Sequence, residues 1–342
     1  MIDHGRLSRL AALGAAAALI LAACSSGGSS PAPTTAAATT AATGAPATQI
    51  AAATLAPCGK VNIAVNPWVG YEADYAVVAW VLTNKLGCTV VPKNIDEQTS
   101  WQGFPTGEVD VILENWGHED LAAKYITADK VAQDAGPTGN QGVIGWFIPK
   151  FFADANPDIL TAKTDPTVLN KYAAQFKTSE SGDKGQILDG DPSFVTNDQG
   201  MINGFGLNYK VVYSGSEAAS NKAIQSAIDQ KKPILAYFYT PNWFSSKVDL
   251  VHIEFPAWTQ GCDKDQNLIK CDYPPYHLNK VVSVKFATSG SPAWTVIKNF
   301  TWTNKDQDLV AAYITDQSMS DADAAAKWAA DNPTVWAAWL PK

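Results

Sequence analysis

After about residue 60, short apolar runs alternate along the chain with segments in which apolar residues recur at helical spacing. Short runs rich in Val, Ile, Phe and Tyr are typical of strands, whereas apolar positions three and four apart indicate helices. The pattern predicts strands at residues 61–65, 88–91, 109–113, 143–148, 233–239 and 281–286. It predicts helices at residues 74–85, 221–230, 306–315 and 321–330, and a turn at Gly107 after residues 101–106.

Strands that alternate with helices favour an α/β fold with a largely parallel sheet. In such sheets, ligands bind outside the carboxyl ends of the strands. Trp68 and Trp116 each follow a predicted strand end, so both are candidate ligand contacts. The order of the elements predicts one lobe from residues 58–145 and 273–342 and a second lobe from residues 146–272, with a hinged ligand cleft between them.

The first residues have the features of an export signal. Arg6 and Arg9 precede an apolar stretch at residues 10–22, which is too short to remain as a membrane anchor. The stretch ends in Leu21-Ala22-Ala23-Cys24, which resembles the lipobox of bacterial lipoproteins. The resemblance implies that residues 1–23 are removed and that Cys24 is acylated. An ordinary secretory signal with a cysteine at the cleavage point by chance is the alternative.

The segment at residues 24–57 consists almost wholly of Ser, Gly, Pro, Thr and Ala and carries no charge. Such a composition has too little bulky apolar surface to offset the entropy of ordering, so it predicts a disordered, lipid-anchored tether. No later segment reaches about 18 apolar residues without a charge. We therefore expect a globular body that the lipid alone holds at the extracytoplasmic face of the cell membrane.

The composition of the 342-residue chain is acidic and rich in aromatic residues. It contains 33 Asp and Glu against 25 Lys and Arg, a net charge of −8 at pH 7. Nucleic-acid binding needs a basic face, so the charge argues against it. The 12 Trp and 11 Tyr are the outstanding feature, and they direct attention to sites built from aromatic rings.

With Cys24 assigned to lipid, an even number of cysteines remains, which in an exported protein indicates two disulfides. Cys262 and Cys271 flank a polar loop and are the easiest pair. Cys58 and Cys88 each precede a predicted strand, and two adjacent parallel strands would bring them together. A zinc site is the competing interpretation, but the sequence has no Cys-x-x-Cys motif and only four His. We expect no metal or cofactor.

Five short blocks along the chain resemble, in order and spacing, the substrate-binding proteins of ABC transporters for glycine betaine, proline betaine and choline. The resemblance covers roughly residues 60–340 and implies a two-lobed periplasmic-binding-protein fold of the type II kind. It also implies an ABC permease as partner. The blocks are Trp101 with Gly107-Glu108-Val109-Asp110, Asn115-Trp116, Gly145-Trp146-Phe147-Ile148-Pro149, Asp191-Pro192-Ser193-Phe194, and Tyr237-Phe238-Tyr239-Thr240-Pro241-Asn242-Trp243.

Proteins of this family hold a quaternary ammonium group in a cage of aromatic rings, because the cation is attracted to the ring faces. Carried over by position, the resemblance assigns the cage to Trp116, Phe194, Tyr239 and Trp243. It assigns the backbone N–H groups of Val195 and Thr196 to the ligand carboxylate. Two cage tryptophans of the family are Phe194 and Tyr239 here. The ligand is therefore expected to be like glycine betaine or choline, with another small polar solute, such as an amino acid or an amine, as the alternative.

Each aromatic residue has a competing interpretation, which is packing in the core. We expect packing, in the core or at the surface, for Trp80, Trp294, Trp328, Trp336 and Trp339.

A lipid-anchored hydrolase is the rival functional class, and a lipid-anchored adhesin is a third. His118 has no second His at the spacing of the His-Glu-x-x-His metal motif. Asp110 and Glu114 could pair as hydrolytic carboxylates. Four positions apart on a strand, however, they would lie about 13 Å from each other. The sequence therefore predicts a binding protein and not an enzyme.

Overall fold

The computed structural model describes residues 56–194 and 196–342. The predicted signal segment, Cys24 and the tether up to residue 55 lie outside the described residues, and so does Val195. Within the described ranges, no helix is both long enough and apolar enough to span a membrane.

The described residues form a mixed sheet of nine strands. The strands are β1 Lys60–Val65, β2 Thr89–Asn94, β3 Val111–Asn115, β4 Ala132–Pro149, β5 Gly185–Asp189, β6 Tyr209–Tyr213, β7 Ala236–Thr240, β8 Leu250–Ile253 and β9 Tyr276–Ser283.

Eleven α-helices surround this sheet in the described part of the chain. They are α1 Val69–Leu86, α2 Glu97–Thr106, α3 Glu119–Ala122, α4 Lys150–Ala155, α5 Asp198–Phe205, α6 Glu217–Asp229, α7 Val284–Ala287, α8 Ala293–Asn299, α9 Asn304–Thr315, α10 Asp321–Asp331 and α11 Pro333–Ala337. Short 3-10 segments span Pro157–Lys163, Pro166–Lys171, Ala173–Phe176 and Trp243–Ser246, and a π-helical turn spans Ala123–Ala128.

The strand order is β2-β1-β3-β9-β4-β7-β5-β6, with β8 paired to β4. At one end β1 pairs in parallel with β2 and β3, and at the other β5 pairs in parallel with β6 and β7. The central pairs of β9 and β4 with their neighbours are antiparallel. The expectation of a largely parallel sheet is thus wrong for the centre, because these two strands run between the halves instead of returning through a helix.

Strand β4 belongs to both halves of the fold. Its first part pairs with β9 as far as Gly142, and its second part pairs with β7 from Val143 onward. The chain thus has a two-lobed α/β fold with a hinged cleft. The change of partner lies close to the predicted lobe boundary at residue 145, although the exact lobe bounds of the sequence analysis stay a prediction.

Several predicted elements are present with shifted ends. Helix α1 begins at Val69, five residues before the predicted start, because its first N–H group finds an acceptor in Glu217, which is far away in the sequence. Residues 101–106 belong to helix α2, which Asp96 caps by accepting the N–H of Thr99. The predicted strand at 281–286 ends at Ser283, whose side chain caps α7.

Both predicted disulfides are present. Cys58 bonds to Cys88, and Cys262 bonds to Cys271. The first bond follows from the parallel register of β1 and β2, in which Lys60 lies opposite Thr89. The second closes a loop of the second lobe.

The tryptophans expected in the core include the most buried side chains of the first lobe. Trp328 and Trp339 are fully buried and stack with their ring centroids 5.9 Å apart. Trp80 and Trp336 meet edge to face at 5.7 Å, partly buried, beneath the ammonium group of Lys85. These rings stabilise the packing of the C-terminal helices on α1 and have no contact with the cleft described below.

Candidate functional site

A cavity of about 860 Å³ lies between the lobes. Trp68, Trp116 and Tyr276 line it from the first lobe, and Phe194, Tyr239 and Trp258 line it from the second. Most of these side chains stand at or just beyond the end of a strand, where the fold leaves the sheet edge open. The cavity therefore has the position that the sequence predicts for a ligand.

Four of its rings form two edge-to-face pairs that join the lobes. Trp68 and Phe194 have ring centroids 5.7 Å apart at 85°, and Trp116 and Tyr239 have ring centroids 5.7 Å apart at 80°. Edge-to-face contacts of this kind direct the positive edge of one ring to the negative face of another and leave further faces free. The structure thus brings together four aromatic residues that the sequence analysis singled out.

Close backbone approach makes room for two of these rings. A Cβ atom at Gly142 would lie 2.4 Å from Cζ3 of Trp116, and one at Gly190 would lie 2.9 Å from the ring of Phe194. Any other residue at Gly142 would displace the indole from the cavity wall. The sequence does not predict that glycine is required at position 142, because this residue lies in a Gly-rich segment whose composition is typical of a loop.

Two tyrosines of the cavity were not identified from the sequence. The Tyr276 ring lies 5.4 Å from Trp116, and the Tyr237 ring lies 6.2 Å from Tyr239. Tyr237 could have been found, because residues two apart on a strand share a face. Tyr276 follows Pro274-Pro275 and is the first residue of β9. Only the pairing of β9 with β4, in which Tyr276 lies opposite Gly142, brings its ring to the site.

The two indole groups of the first lobe share one acceptor. Nε1 of Trp68 donates to Oε1 of Glu114 at 2.9 Å, and Nε1 of Trp116 donates to the same atom at 2.7 Å. Glu114 is only 1% exposed. The carboxylate therefore lies behind the rings and fixes their orientation from outside the cavity.

A second buried carboxylate, Glu217, lies beside Tyr239. It accepts the backbone N–H of Val69 at 2.9 Å and the side-chain amide of Asn242 at 3.0 Å. Burial raises the pKa of Glu217 above its usual value, although the hydrogen bonds from Val69 and Asn242 act against this. Burial, followed by the negative charge of Glu217, raises the pKa of Tyr239 well above its usual value, so this ring stays a neutral phenol.

Two buried side chains in close contact, His118 and Glu97, form part of the wall. Nε2 of His118 lies 2.6 Å from Oε1 of Glu97. Burial alone would lower the pKa of His118, but the adjacent carboxylate of Glu97 outweighs it and the pKa is raised. The side chain of His118 is thus in contact with a carboxylate of the protein. Asp110, the other residue weighed as a hydrolytic group, accepts two hydrogen bonds from Asn62.

The loop closed by Cys262 and Cys271 forms another side of the cavity. Nε1 of Trp258 donates to Asp263 at 2.9 Å, and Asp263 and Lys264 both line the space. Asp263 is partly buried and Lys264 is exposed, so charged groups border a cavity whose other walls are largely aromatic. Nowhere in the described ranges do three or more His, Cys, Asp or Glu side chains cluster as metal ligands would.

Three further residues were predicted for the site: Trp243, Val195 and Thr196. Of the two that the structure describes, neither Trp243 nor Thr196 is among the residues that line the first cavity. Trp243 lines a second cavity of about 1210 Å³, and the Lys247 ammonium group lies 4.9 Å from its ring centroid. Trp243 is not among the residues that line the first cavity, whereas Trp68 lines both. The hydroxyl group of Thr196 donates to Asp189 at 2.9 Å. Val195 lies outside the described residues.

Comparison with known proteins gives a consistent result. The family model for the substrate-binding domain of ABC-type glycine betaine transport systems (OpuAC) matches residues 59–331. The trimethylamine N-oxide-binding protein of Pelagibacter ubique (strain HTCC1062) is 27% identical over 262 residues, which cover 73% of this chain and 81% of that protein. The glycine betaine/carnitine transport binding protein GbuC of Listeria monocytogenes serotype 1/2a (strain 10403S) is 27% identical over 126 residues, which cover 37% of this chain and 38% of that protein.

Two solved structures show the same fold. Lactococcal OpuAC in its closed form with glycine betaine superposes with a TM-score of 0.63 at 20% identity, over 83% of this chain and 100% of that chain. An ABC-transporter choline-binding protein in complex with choline superposes with a TM-score of 0.66 at 17% identity, over 82% of this chain and 91% of that chain. The family match spans both lobes and the cleft between them. The chain therefore belongs to the family of substrate-binding domains of ABC-type glycine betaine transport systems, whose members bind solutes and are not enzymes.

Proposed function

We propose that this protein captures a methylated ammonium compound in the cavity between its lobes and delivers it to an ABC permease. The observation that supports this most strongly is the set of four rings, Trp68, Trp116, Phe194 and Tyr239, which come from both lobes and face one space. In this proposal Trp243 is left out of the cage, because it lines the second cavity.

The chemistry of the ligand explains why rings suit this task. A trimethylammonium group has no N–H to donate, yet it must leave water when it binds. Ring faces provide negative potential without requiring a hydrogen bond, and a desolvated contact of this kind contributes about 2 kcal/mol. The relatives named for trimethylamine N-oxide and for glycine betaine and carnitine support a ligand with such a group.

A betaine also carries a carboxylate, for which we propose the backbone N–H groups of Val195 and Thr196. This assignment rests on the family resemblance of the turn that carries Phe194. Lys264 at the mouth of the cavity is a further cation toward which the carboxylate of a longer ligand could extend.

We also propose that the protein is a lipoprotein, anchored through Cys24 at the extracytoplasmic face of the cell membrane. The tether of residues 24–57 would let the body move near the permease. This part of the proposal is supported by the sequence at residues 21–24.

The test is isothermal titration calorimetry of the unlipidated chain from residue 25 to residue 342. The ligands are glycine betaine, proline betaine, choline, carnitine and trimethylamine N-oxide, with glycine and ethanolamine as unmethylated counterparts of glycine betaine and choline. We expect at least one methylated compound to bind more tightly than its unmethylated counterpart. A preference for the unmethylated compound would instead indicate an amino acid or amine as the ligand.

A further inference from the structure

The carboxylate of Glu114 is the point to which the two tryptophans of the first lobe converge. Its Oε1 accepts both indole N–H groups, and its Oε2 accepts the side-chain amide of Gln307 at 2.5 Å. Oε1 of Gln307 in turn accepts a hydrogen bond from the side-chain amide of Asn140 at 2.7 Å. This bond fixes the orientation of the Gln307 amide, so that its N–H group points to Glu114. Because both indoles and the amide of Gln307 donate to Glu114, the position of the carboxylate constrains where both rings lie.

In the described part of the chain, the carboxylate of Glu114 forms no ion pair with a group of opposite charge. Its donors are two neutral indoles and a neutral amide, and the carboxyl group of Asp74 lies beside it. A buried charge that lacks a counter-ion is costly for stability. A ligand cation in the cavity on the other side of the two rings would offset part of that cost.

We propose that Glu114 is a positioning and specificity-determining residue: it orients Trp68 and Trp116 and favours a positively charged ligand group over an uncharged group of the same shape. The inference rests on the proposed function, since it concerns the same cavity. It adds that the selectivity for a cation comes from a carboxylate behind the cage as well as from the ring faces.

The two roles have different signatures. Loss of ring positioning weakens binding of every ligand that touches the rings, whatever its charge. Loss of the negative charge weakens binding of a cation and leaves a neutral ligand of equal size unaffected. The ratio between the two dissociation constants therefore reports on the charge separately from the shape of the cavity.

The experiment compares choline with its uncharged carbon analogue, 3,3-dimethylbutan-1-ol, by calorimetric titration of wild type and Glu114→Gln. Glutamine keeps an oxygen that can accept from the indoles but removes the charge. We expect wild type to prefer choline, and Glu114→Gln to reduce that preference by roughly tenfold or more. An unchanged preference in Glu114→Gln, with equal losses for both compounds, would overturn the specificity role.

Asp74→Asn is the matched control. Asp74 is as buried as Glu114 and lies 3.4 Å from the same amide of Gln307, but it accepts a hydrogen bond from neither Trp68 nor Trp116. Burial, and then the charge of Glu114, raise the pKa of Asp74 well above its usual value, so asparagine is a close mimic of its protonated form. We expect this variant to keep the wild-type preference for choline.

Circular dichroism establishes first that each variant is folded. If Glu114→Gln does not fold, the comparison moves to Glu114→Asp, which keeps the charge on a shorter side chain. The proposal then expects both affinities to fall while the preference for choline is retained, and loss of that preference would contradict it. Failure of wild type to bind any methylated ammonium compound would reject the proposed function itself, and it is seen before any variant is measured.

Discussion

The carboxylate of Glu217 accepts the backbone N–H of Val69 at 2.9 Å across the cleft. Val69 is the first residue of helix α1, so a side chain of the second lobe supplies the acceptor that the N-terminus of this helix lacks locally. The contact joins the two lobes, so we expect it to stabilise the arrangement in which the rings of both lobes face the cavity.

Glu217→Ala should weaken binding of every ligand by a similar factor, because it destabilises closure instead of changing a ligand contact. Loss of one buried acceptor corresponds to about 1–3 kcal/mol. Calorimetric titration with two different ligands measures this. Asp229→Ala, at the exposed far end of the same helix α6, serves as control and should bind as wild type does. Wild-type affinity in Glu217→Ala would show that the contact does not contribute to closure.

Trp116→Ala should reduce the affinity for the best ligand by about 2–4 kcal/mol, as for a central aromatic residue of a binding site. The substitution removes a ring face beside a desolvated cation. Trp328→Ala is the control, because Trp328 is fully buried in the first lobe against Trp302 and Trp339. The control should lower the free energy of unfolding while its folded fraction binds normally. Equal affinities of Trp116→Ala and wild type would reject the cage.

Trp243→Ala should affect affinity much less than Trp116→Ala does. Trp243 belongs to the block that carries a cage tryptophan in the family, but its ring lines the second cavity beneath Lys247. The same titrations test this. A loss as large as that of Trp116→Ala would mean that the ring reaches the ligand after all, and Trp243 would return to the cage.

Stability should fall as the pH rises from about 4.5 to about 7. Burial, and then the neighbouring carboxyl group of Asp321, raise the pKa of Glu72 from 4.5 to about 7. A carboxyl group with a higher pKa in the folded chain than in the unfolded chain favours folding fully when the pH is below its unfolded pKa. This contribution is lost as the pH rises through its folded pKa. Urea denaturation of Glu72→Gln should show a smaller decline than wild type over this range. The exposed Glu108→Gln should follow wild type, and an equal decline in all three would contradict the prediction.

Cys24→Ala should release the protein from the membrane fraction or block its processing, because acylation requires the thiol of Cys24. Cell fractionation and electrophoretic mobility measure this. The lipoprotein assignment fails if the variant fractionates and migrates like wild type.

The sequence predicted those parts of the fold whose residues follow a simple period. The strands at β1 and β2 and the helices α9 and α10 are apolar runs or apolar stripes, and their positions were close to those in the structure. Strand β4 was missed in its first half, since residues 132–142 are rich in Gly and polar residues. It is a strand because β9 pairs with it across two irregularities in register, which is a tertiary effect.

The sequence likewise pointed to some residues of the candidate site and missed others. Trp68, Trp116 and Tyr239 could be placed because they stand at strand ends or in a family block. The role of Glu114 as a shared acceptor and the contribution of Tyr276 depend on packing between distant segments. No local pattern encodes such contacts. Trp243 belongs to a family block, and its ring lines the second cavity in the structure, so its place in the cage stays a prediction to be tested.

The continuity of β4 has a consequence for the order in which a ligand meets the rings. Rotation of the lobes has to bend the backbone near Gly142 and Val143, where the strand changes partner. Trp116 packs directly on Gly142, next to this pivot, so we expect it to move least between open and closed forms. Phe194 belongs to the second lobe and contacts Trp68 of the first lobe, so we expect this contact to form as the lobes close. We therefore expect a ligand to contact Trp116 first, in the open protein, and Phe194 last, when the lobes close.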